Sequence, residues 1–92
     1  MIILLITLQV GDRISFVVNG KSLTLSRQEV ERRMAGIAPE VIRSHVVVVG
    51  RVRYPVKQVF ERVTGLDRLD FTSATARRHF AKLGFELARD QS

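Results

Sequence analysis

The sequence predicts an α+β fold, in which an N-terminal β-meander and a central β-hairpin pack with three to four short helices. Three observations predict this class. Apolar runs and alternations mark strands within residues 2–9, 14–25 and 45–54. Apolar residues recur at helical spacing in three other stretches. Ninety-two residues form one domain with a modest core, so we expect a single domain over 1–92.

The predicted meander begins with the apolar opening of the chain. Residues 2–9 are almost all β-branched or leucine, as in a strand covered on both faces. This run has no basic region or cleavage site and is shorter than the ~20 residues of a membrane-spanning helix. Asn19-Gly20, between two alternating segments, is the strongest short hairpin signal. We therefore expect three strands and no membrane partner.

The first helix is predicted by its start signal. Ser26 and Glu29 form a capping box at its beginning, and Gly36 marks its end. Pro39 predicts a second short helical turn. The predicted inner stripe is Val30, Met34 and Ile37.

A strand and a helix meet in the middle of the chain. His45 to Val49 is the predicted central strand, and residues 52–54 return as a short hairpin arm around Gly50. Pro55 suits the first position of a helix, and the following apolar residues have helical spacing up to residue 64. We expect this corner to be the working surface of the protein.

A connector and a last helix complete the fold. Leu66, Leu69 and Phe71 are expected to point inward from the connector. Thr72 or Ser73 caps the last helix. Its predicted inner stripe is Ala76, Phe80 and Leu83, Gly84 ends it, and residues 85–87 form an edge strand or a packed tail.

The distribution of charge indicates an anionic partner. The net charge is +6 and the pI is near 11.1. Residues 43–82 carry nine of the fifteen cations and only three anions. A basic half of this kind is typical of nucleic-acid binding. One tyrosine and no tryptophan favour duplex DNA over single-stranded RNA, which needs exposed aromatic residues for stacking.

The residues that most enzymes need are missing. There is no cysteine, no glycine-rich phosphate loop, and neither His45 nor His79 has a metal-ligand spacing with another histidine or a carboxylate pair. Asp67 and Asp70 are interpreted as loop carboxylates. We therefore expect no catalytic activity, no metal and no cofactor, in a cytoplasmic, nucleoid-associated protein.

Two groups of residues remain as candidates for DNA binding. The first lies at the strand-to-helix corner. The second lies at the start of the last helix, where free N–H groups and hydroxyls hold phosphates. The predicted DNA-binding residues are Arg43, Arg51, Arg53, Tyr54, Lys57, Gln58, Thr72, Ser73, Thr75, Arg77 and Arg78.

Short segments in the basic half of the chain also resemble those of a known protein family. They are Val48-Val49-Gly50-Arg51, Tyr54-Pro55-Val56-Lys57, Phe71, Ala76-Arg77-Arg78 and Leu83-Gly84-Phe85-Glu86. The pattern resembles the N-terminal DNA-binding head domain of McrA-type, modification-dependent HNH endonucleases of actinobacteria and its stand-alone single-domain relatives. It covers about residues 43–87 and departs at Val56, where the family has proline. The resemblance implies binding of double-stranded DNA with preference for 5-methylcytosine, without the separate nuclease domain.

A reader of 5-methylcytosine needs an apolar contact for the methyl group and a donor fork for the adjacent guanine. Tyr54 beside Arg51 or Arg53 is expected to supply both without extruding the base. Two alternatives stay open. One is a helix-turn-helix repressor of unmethylated operators, and the other is a dimeric protein-interaction or antitoxin-like module built on residues 1–9. A homodimer is compatible with each interpretation.

Overall fold

The computed structural model of the protein describes residues 13–89 and has the predicted α+β class. The predicted strand over residues 2–9, and with it the first strand of the meander, lies outside the described residues. The elements are β1 (Arg13–Val18), β2 (Lys21–Ser26), α1 (Arg27–Met34), β3 (His45–Val49), β4 (Val52–Pro55), α2 (Val56–Thr64), a 3₁₀ turn (Arg68–Asp70), α3 (Ser73–Lys82) and β5 (Glu86–Arg89).

Two antiparallel sheets form from these strands. β1 pairs with β2, and β3 is the central strand of a sheet with the order β4-β3-β5. Asn19 and Gly20 close the first hairpin with φ of 54° and 82°, and Gly50 and Arg51 close the second with 58° and 69°. Two consecutive positive φ values are typical of the type I′ turn, which matches the twist of the strands. Both predicted hairpins are therefore confirmed, and β5 is an edge strand.

The start of α1 follows the prediction, whereas the segment after it does not. The Ser26 hydroxyl accepts a hydrogen bond of 3.1 Å from the amide of Glu29, which is one half of the capping box, whereas the Glu29 carboxylate binds Arg32 and Arg33. The helix ends at Met34, and residues 37–43 have no regular secondary structure. The helical turn predicted at Pro39 is wrong. Carbonyl groups of this segment are bound by side chains of the central hairpin and α2 instead of by helical hydrogen bonds.

Aromatic side chains in the core join the first sheet to α2 and α3. The ring of Phe60 in α2 lies 4.7 Å from that of Phe71, 5.7 Å from that of Phe80 and 5.9 Å from that of Phe16, measured between centroids. Phe16 belongs to β1, so the first hairpin closes over α2 and α3. This packing fixes where α2 and α3 begin relative to each other.

The connector between α2 and α3 differs from the prediction at one residue. Leu66 and Phe71 are buried, as expected, whereas Leu69 is 93% exposed. The Asp67 carboxylate accepts a hydrogen bond of 2.9 Å from the amide of Leu69. The resulting 3₁₀ turn directs the leucine side chain outward. Apolar character alone did not reveal this direction, because neighbouring residues of a short turn point to different sides.

The C-terminus of α2 and the N-terminus of α3 match the prediction. Gly65 ends α2 with a φ of 75°, a left-handed conformation that glycine adopts at low cost. Thr72 caps α3 by accepting a hydrogen bond of 3.1 Å from the amide of Thr75. Across residues 13–89, no helix has the length and apolar character that crossing a bilayer requires.

Candidate nucleic-acid interface

A cleft of about 390 Å³ opens where three parts of the chain meet. They are the irregular segment after α1 with the start of β3, the junction of β4 with α2, and the 3₁₀ turn with the start of α3. The cleft combines cationic, hydroxyl and apolar side chains. Its lining residues are Glu40, Val41, Arg43, Ser44, His45, Pro55, Val56, Lys57, Arg68 and Ser73.

Two helix N-termini meet at this cleft. α2 begins at Val56 after Pro55, and no side chain of the described residues caps it. α3 begins at Ser73, also in the cleft wall. Neither helix has an acidic residue in its first turn, whereas α1 has Glu29 there. Free amide groups and the partial positive charge of a helix N-terminus favour an anion, so two of them make the cleft suited to phosphate.

Three cations line the cleft, and two of them are available to a ligand. The Arg68 guanidinium hydrogen-bonds the carboxylates of Glu40 at 2.7 Å and Glu61 at 2.8 Å, and these bonds raise its pKa. Lys57 makes no ion pair with a described residue, and its Nζ lies 5.2 Å from the centroid of the Phe71 ring. Arg43 is exposed and likewise has no described acidic partner.

Tyr54 and Gln58, two predicted contacts to DNA, are buried and bind backbone instead. Tyr54 is 2% exposed, and its hydroxyl donates to the carbonyl oxygens of Ile37 at 2.8 Å and Met34 at 3.1 Å. Its assignment to a base edge is therefore wrong, because its ring lies in the core and its hydroxyl is already bonded.

Gln58 fixes the backbone of one wall of the cleft through two hydrogen bonds. Its Nε2 donates to the carbonyl oxygen of Ala38 at 3.0 Å, and its Oε1 accepts from the amide of Glu40 at 2.9 Å. A direct contact between Gln58 and DNA is not compatible with this buried position. The residue instead fixes the segment that carries Arg43 into the cleft.

The corner predicted as one surface is divided between two places. Lys57 lies in the cleft, whereas Arg51 lies in the turn at the other end of the central hairpin. β3 has five residues, so at roughly 3.3 Å per residue about 15 Å separates these two ends. Arg53 pairs with Val48 and is exposed near the turn. The hairpin tip is therefore a second basic position, at the end of the hairpin away from the cleft.

The predicted residues of α3 also have different surroundings. Ser73 lines the cleft. The Thr72 hydroxyl donates to that of Thr75 at 3.1 Å and completes the helix cap. Arg78 is exposed, whereas Arg77 is half-buried, with an Nε that has no partner among the described residues. Ser73 and Arg77 share one face of the helix at i, i+4 spacing.

His45 lines the cleft, although the sequence did not assign it to the site. Burial lowers the pKa of its imidazole, and the positive charges of Arg77 and Arg89 lower it further. The ring is therefore neutral at pH 7. Glu40, Val41 and Arg68 were also missed, because the irregular segment and the 3₁₀ turn that bring them together have no periodic pattern.

Comparison with known proteins identifies the family of the chain. Residues 14–92 match a protein-family profile described as SCO5918-like. The chain belongs to the SCO5918-like family. No curated protein and no solved structure matches it. The SCO5918-like match covers β2 to β5 completely, and so includes the cleft. The family description states no activity, and the resemblance to McrA-type head domains stays a prediction.

Proposed function

We propose that this protein is a double-stranded DNA-binding module without catalytic activity, and that it contacts phosphate through the cleft. The observation that supports this proposal is the meeting of two helix N-termini, free of acidic residues in their first turns, beside Lys57 and Arg43. Both the helix ends and the side chains favour the same ligand charge.

The wider surface supports the same partner. All fifteen lysines and arginines lie within residues 13–89, and ion pairs with described acids involve only Arg27, Arg32, Arg33 and Arg68. The other cations include Arg51 and Arg53 at the hairpin tip and Arg78 on α3. Unpaired cations in the cleft, at the hairpin tip and on α3 can neutralise successive phosphates of a duplex.

The preference for 5-methylcytosine is part of the proposal, with a changed set of contacts. Tyr54 is in the core, so another residue must face the methyl group. Val41 is 77% exposed in the cleft wall. Val41 can provide the apolar contact for the methyl group, while Arg43 stays assigned to phosphate.

A fluorescence anisotropy titration tests the proposal. One duplex is labelled and prepared with and without 5-methylcytosine, and affinity is measured for the parent, Lys57→Gln and Lys21→Gln proteins. We expect the parent to bind both duplexes, the methylated one more tightly. Lys57→Gln should bind about tenfold more weakly, the effect of one lost charged contact, and Lys21→Gln, outside the basic half, should resemble the parent.

The same titration can also give results that would contradict the proposed function. An affinity that does not depend on salt, or that Lys57→Gln leaves unchanged in a protein of unaltered melting temperature, would exclude DNA binding through the cleft. Equal affinity for both duplexes would retain DNA binding and remove the preference for 5-methylcytosine.

The two alternative functions have less support. Residues 65–72 separate α2 from α3 and include the 3₁₀ turn, so the connector is longer than the three to four residues of a helix-turn-helix. The dimeric interaction module depends on residues 1–9, which lie outside the described part of the chain.

A further inference from the structure

We propose that the cleft binds one nucleotide with an amino-bearing base, with its phosphate at the two helix N-termini and its base against the wall formed by Val41 and Pro55. The proposal rests on the proposed function and names the unit of DNA that the site takes. It follows from the residues that line the cleft together, namely cations at two helix starts, an exposed apolar side chain and a carboxylate.

The size of the cleft fits a single nucleotide better than a continuous backbone. Its volume of about 390 Å³ lies within the range of roughly 300–1,000 Å³ for small-molecule sites. Contact with duplex phosphates alone needs only an exposed basic surface. A concave site of this volume adds room for a ring beside the phosphate.

The phosphate side is formed by the helix starts. Lys57 is the second residue of α2 and Ser73 the first residue of α3, and both line the cleft. Arg43 lines it from the irregular segment. These three elements offer an ammonium, a hydroxyl, a guanidinium and free amides to the oxygens of one phosphate.

The cleft also has an apolar wall. Val41 and Pro55 belong to its lining, and Val41 exposes 77% of its surface. An apolar side chain so exposed beside cations contributes nothing to a site for inorganic phosphate. It does provide an apolar surface for a base and its methyl group.

Glu40 gives this wall a preference among bases. Its Oε2 accepts from Arg68 at 2.7 Å, and this bond holds the pKa of its carboxyl below the usual range. The Gln58 bond to its amide fixes the backbone that carries it. An ionised carboxylate only accepts hydrogen bonds, so it suits the amino group of cytosine or adenine and not the carbonyl oxygen at the same position of thymine.

The decisive experiment is a titration of the ¹⁵N-labelled full chain, followed by NMR, with three probes. They are deoxycytidine 5′-monophosphate, thymidine 5′-monophosphate and inorganic phosphate. We expect the cytidine nucleotide to bind about tenfold more tightly than phosphate, which is the effect of one further good contact, and more tightly than the thymidine nucleotide. The amide signals of residues 40–45, 56–57 and 73 should shift.

Three variants assign the parts of the site. Lys57→Gln should weaken all three probes, whereas the control Lys82→Gln should not. Glu40→Gln should abolish the preference for cytidine over thymidine, because an amide can both donate and accept. Val41→Ser should weaken the nucleotides and leave phosphate unchanged. Val41→Ser alters only an exposed side chain. It therefore tests the apolar contact to the base even if Glu40→Gln destabilises the fold.

Nucleotides that bind no more tightly than inorganic phosphate would overturn the proposal. So would a cytidine preference that Glu40→Gln retains, or a nucleotide affinity that Val41→Ser leaves unchanged. If duplex binding still depended on Lys57, the proposed function would stand and only the nucleotide site would be wrong. If neither nucleotide nor duplex bound, both proposals would be wrong.

Discussion

The hydroxyl of Tyr54 donates a hydrogen bond of 2.8 Å to the carbonyl oxygen of Ile37. This bond ties β4 to the segment that follows α1. The same hydroxyl reaches the carbonyl oxygen of Met34, the last residue of the helix, at 3.1 Å. Tyr54 therefore replaces helical hydrogen bonds at the point where the chain leaves α1 and turns toward the cleft.

Tyr54→Phe should lower the free energy of unfolding by about 1–3 kcal/mol, because it leaves the carbonyl oxygen of Ile37 without its donor, whereas that of Met34 keeps the bond from the Ile37 amide. Urea unfolding measures this change. The ratio of affinities for methylated and unmethylated duplexes should stay that of the parent, because the residue has no surface to offer a base. A folded Tyr54→Phe protein that lost this ratio would contradict the structural role.

The stability of the fold should fall when the pH decreases below about 6.5. His79 is 7% exposed, its ring lies 4.0 Å from that of Phe16, and burial lowers its pKa from 6.5. Between the lowered value and 6.5 the unfolded chain binds more protons than the folded one. The free energy of unfolding therefore decreases as the pH falls through this window.

Thermal melts between pH 5 and 7.5 measure this dependence, and His79→Phe should flatten it. His45 also has a lowered pKa, so it should cause the pH dependence of stability that remains in His79→Phe. A second variant, His45→Asn, measures this remaining part. The carboxyl groups of Glu29 and Glu40 have pKa values below 4.5 and lose their contribution only at lower pH. A slope that persisted in the protein with both histidines replaced would contradict this assignment.

The salt dependence of duplex binding should report the number of phosphates contacted. For four to six contacts, the logarithm of affinity should fall with that of salt concentration with a slope of about −4 to −6. Arg78 is exposed on α3, so Arg78→Ala should reduce the slope by about 0.9 and weaken methylated and unmethylated duplexes equally. An unchanged slope would place Arg78 outside the interface.

Arg51 allows binding to be separated from folding. It is a non-glycine residue with a φ of 69° in a turn, and glycine adopts this conformation without steric cost. Arg51→Gly should therefore change the free energy of unfolding by no more than about 1 kcal/mol. Affinity for duplex DNA should nevertheless fall, because the hairpin tip loses a cation. Unchanged affinity would exclude the tip from the DNA surface.

Local patterns were sufficient to predict most elements. The Ser26 cap, the Asn19-Gly20 turn and the apolar stripe of α2 depend on residues within one or two turns of each other. Such short-range preferences act whatever the rest of the chain does. The same reasoning was wrong for Leu69 and for the helical turn at Pro39, where contacts with distant residues determine the backbone.

The candidate site shows the same division between local and distant effects. The sequence by itself determined that the second half is basic, that Lys57 lies in the first turn of α2 and that hydroxyl residues surround the start of α3. Only the tertiary structure decided that Lys57 and Ser73 share a cleft with Arg43, that Tyr54 is buried, and that Arg51 lies at the opposite end of the hairpin. Charge and local spacing are properties of neighbouring residues, whereas a cleft forms from segments that packing brings together across the core.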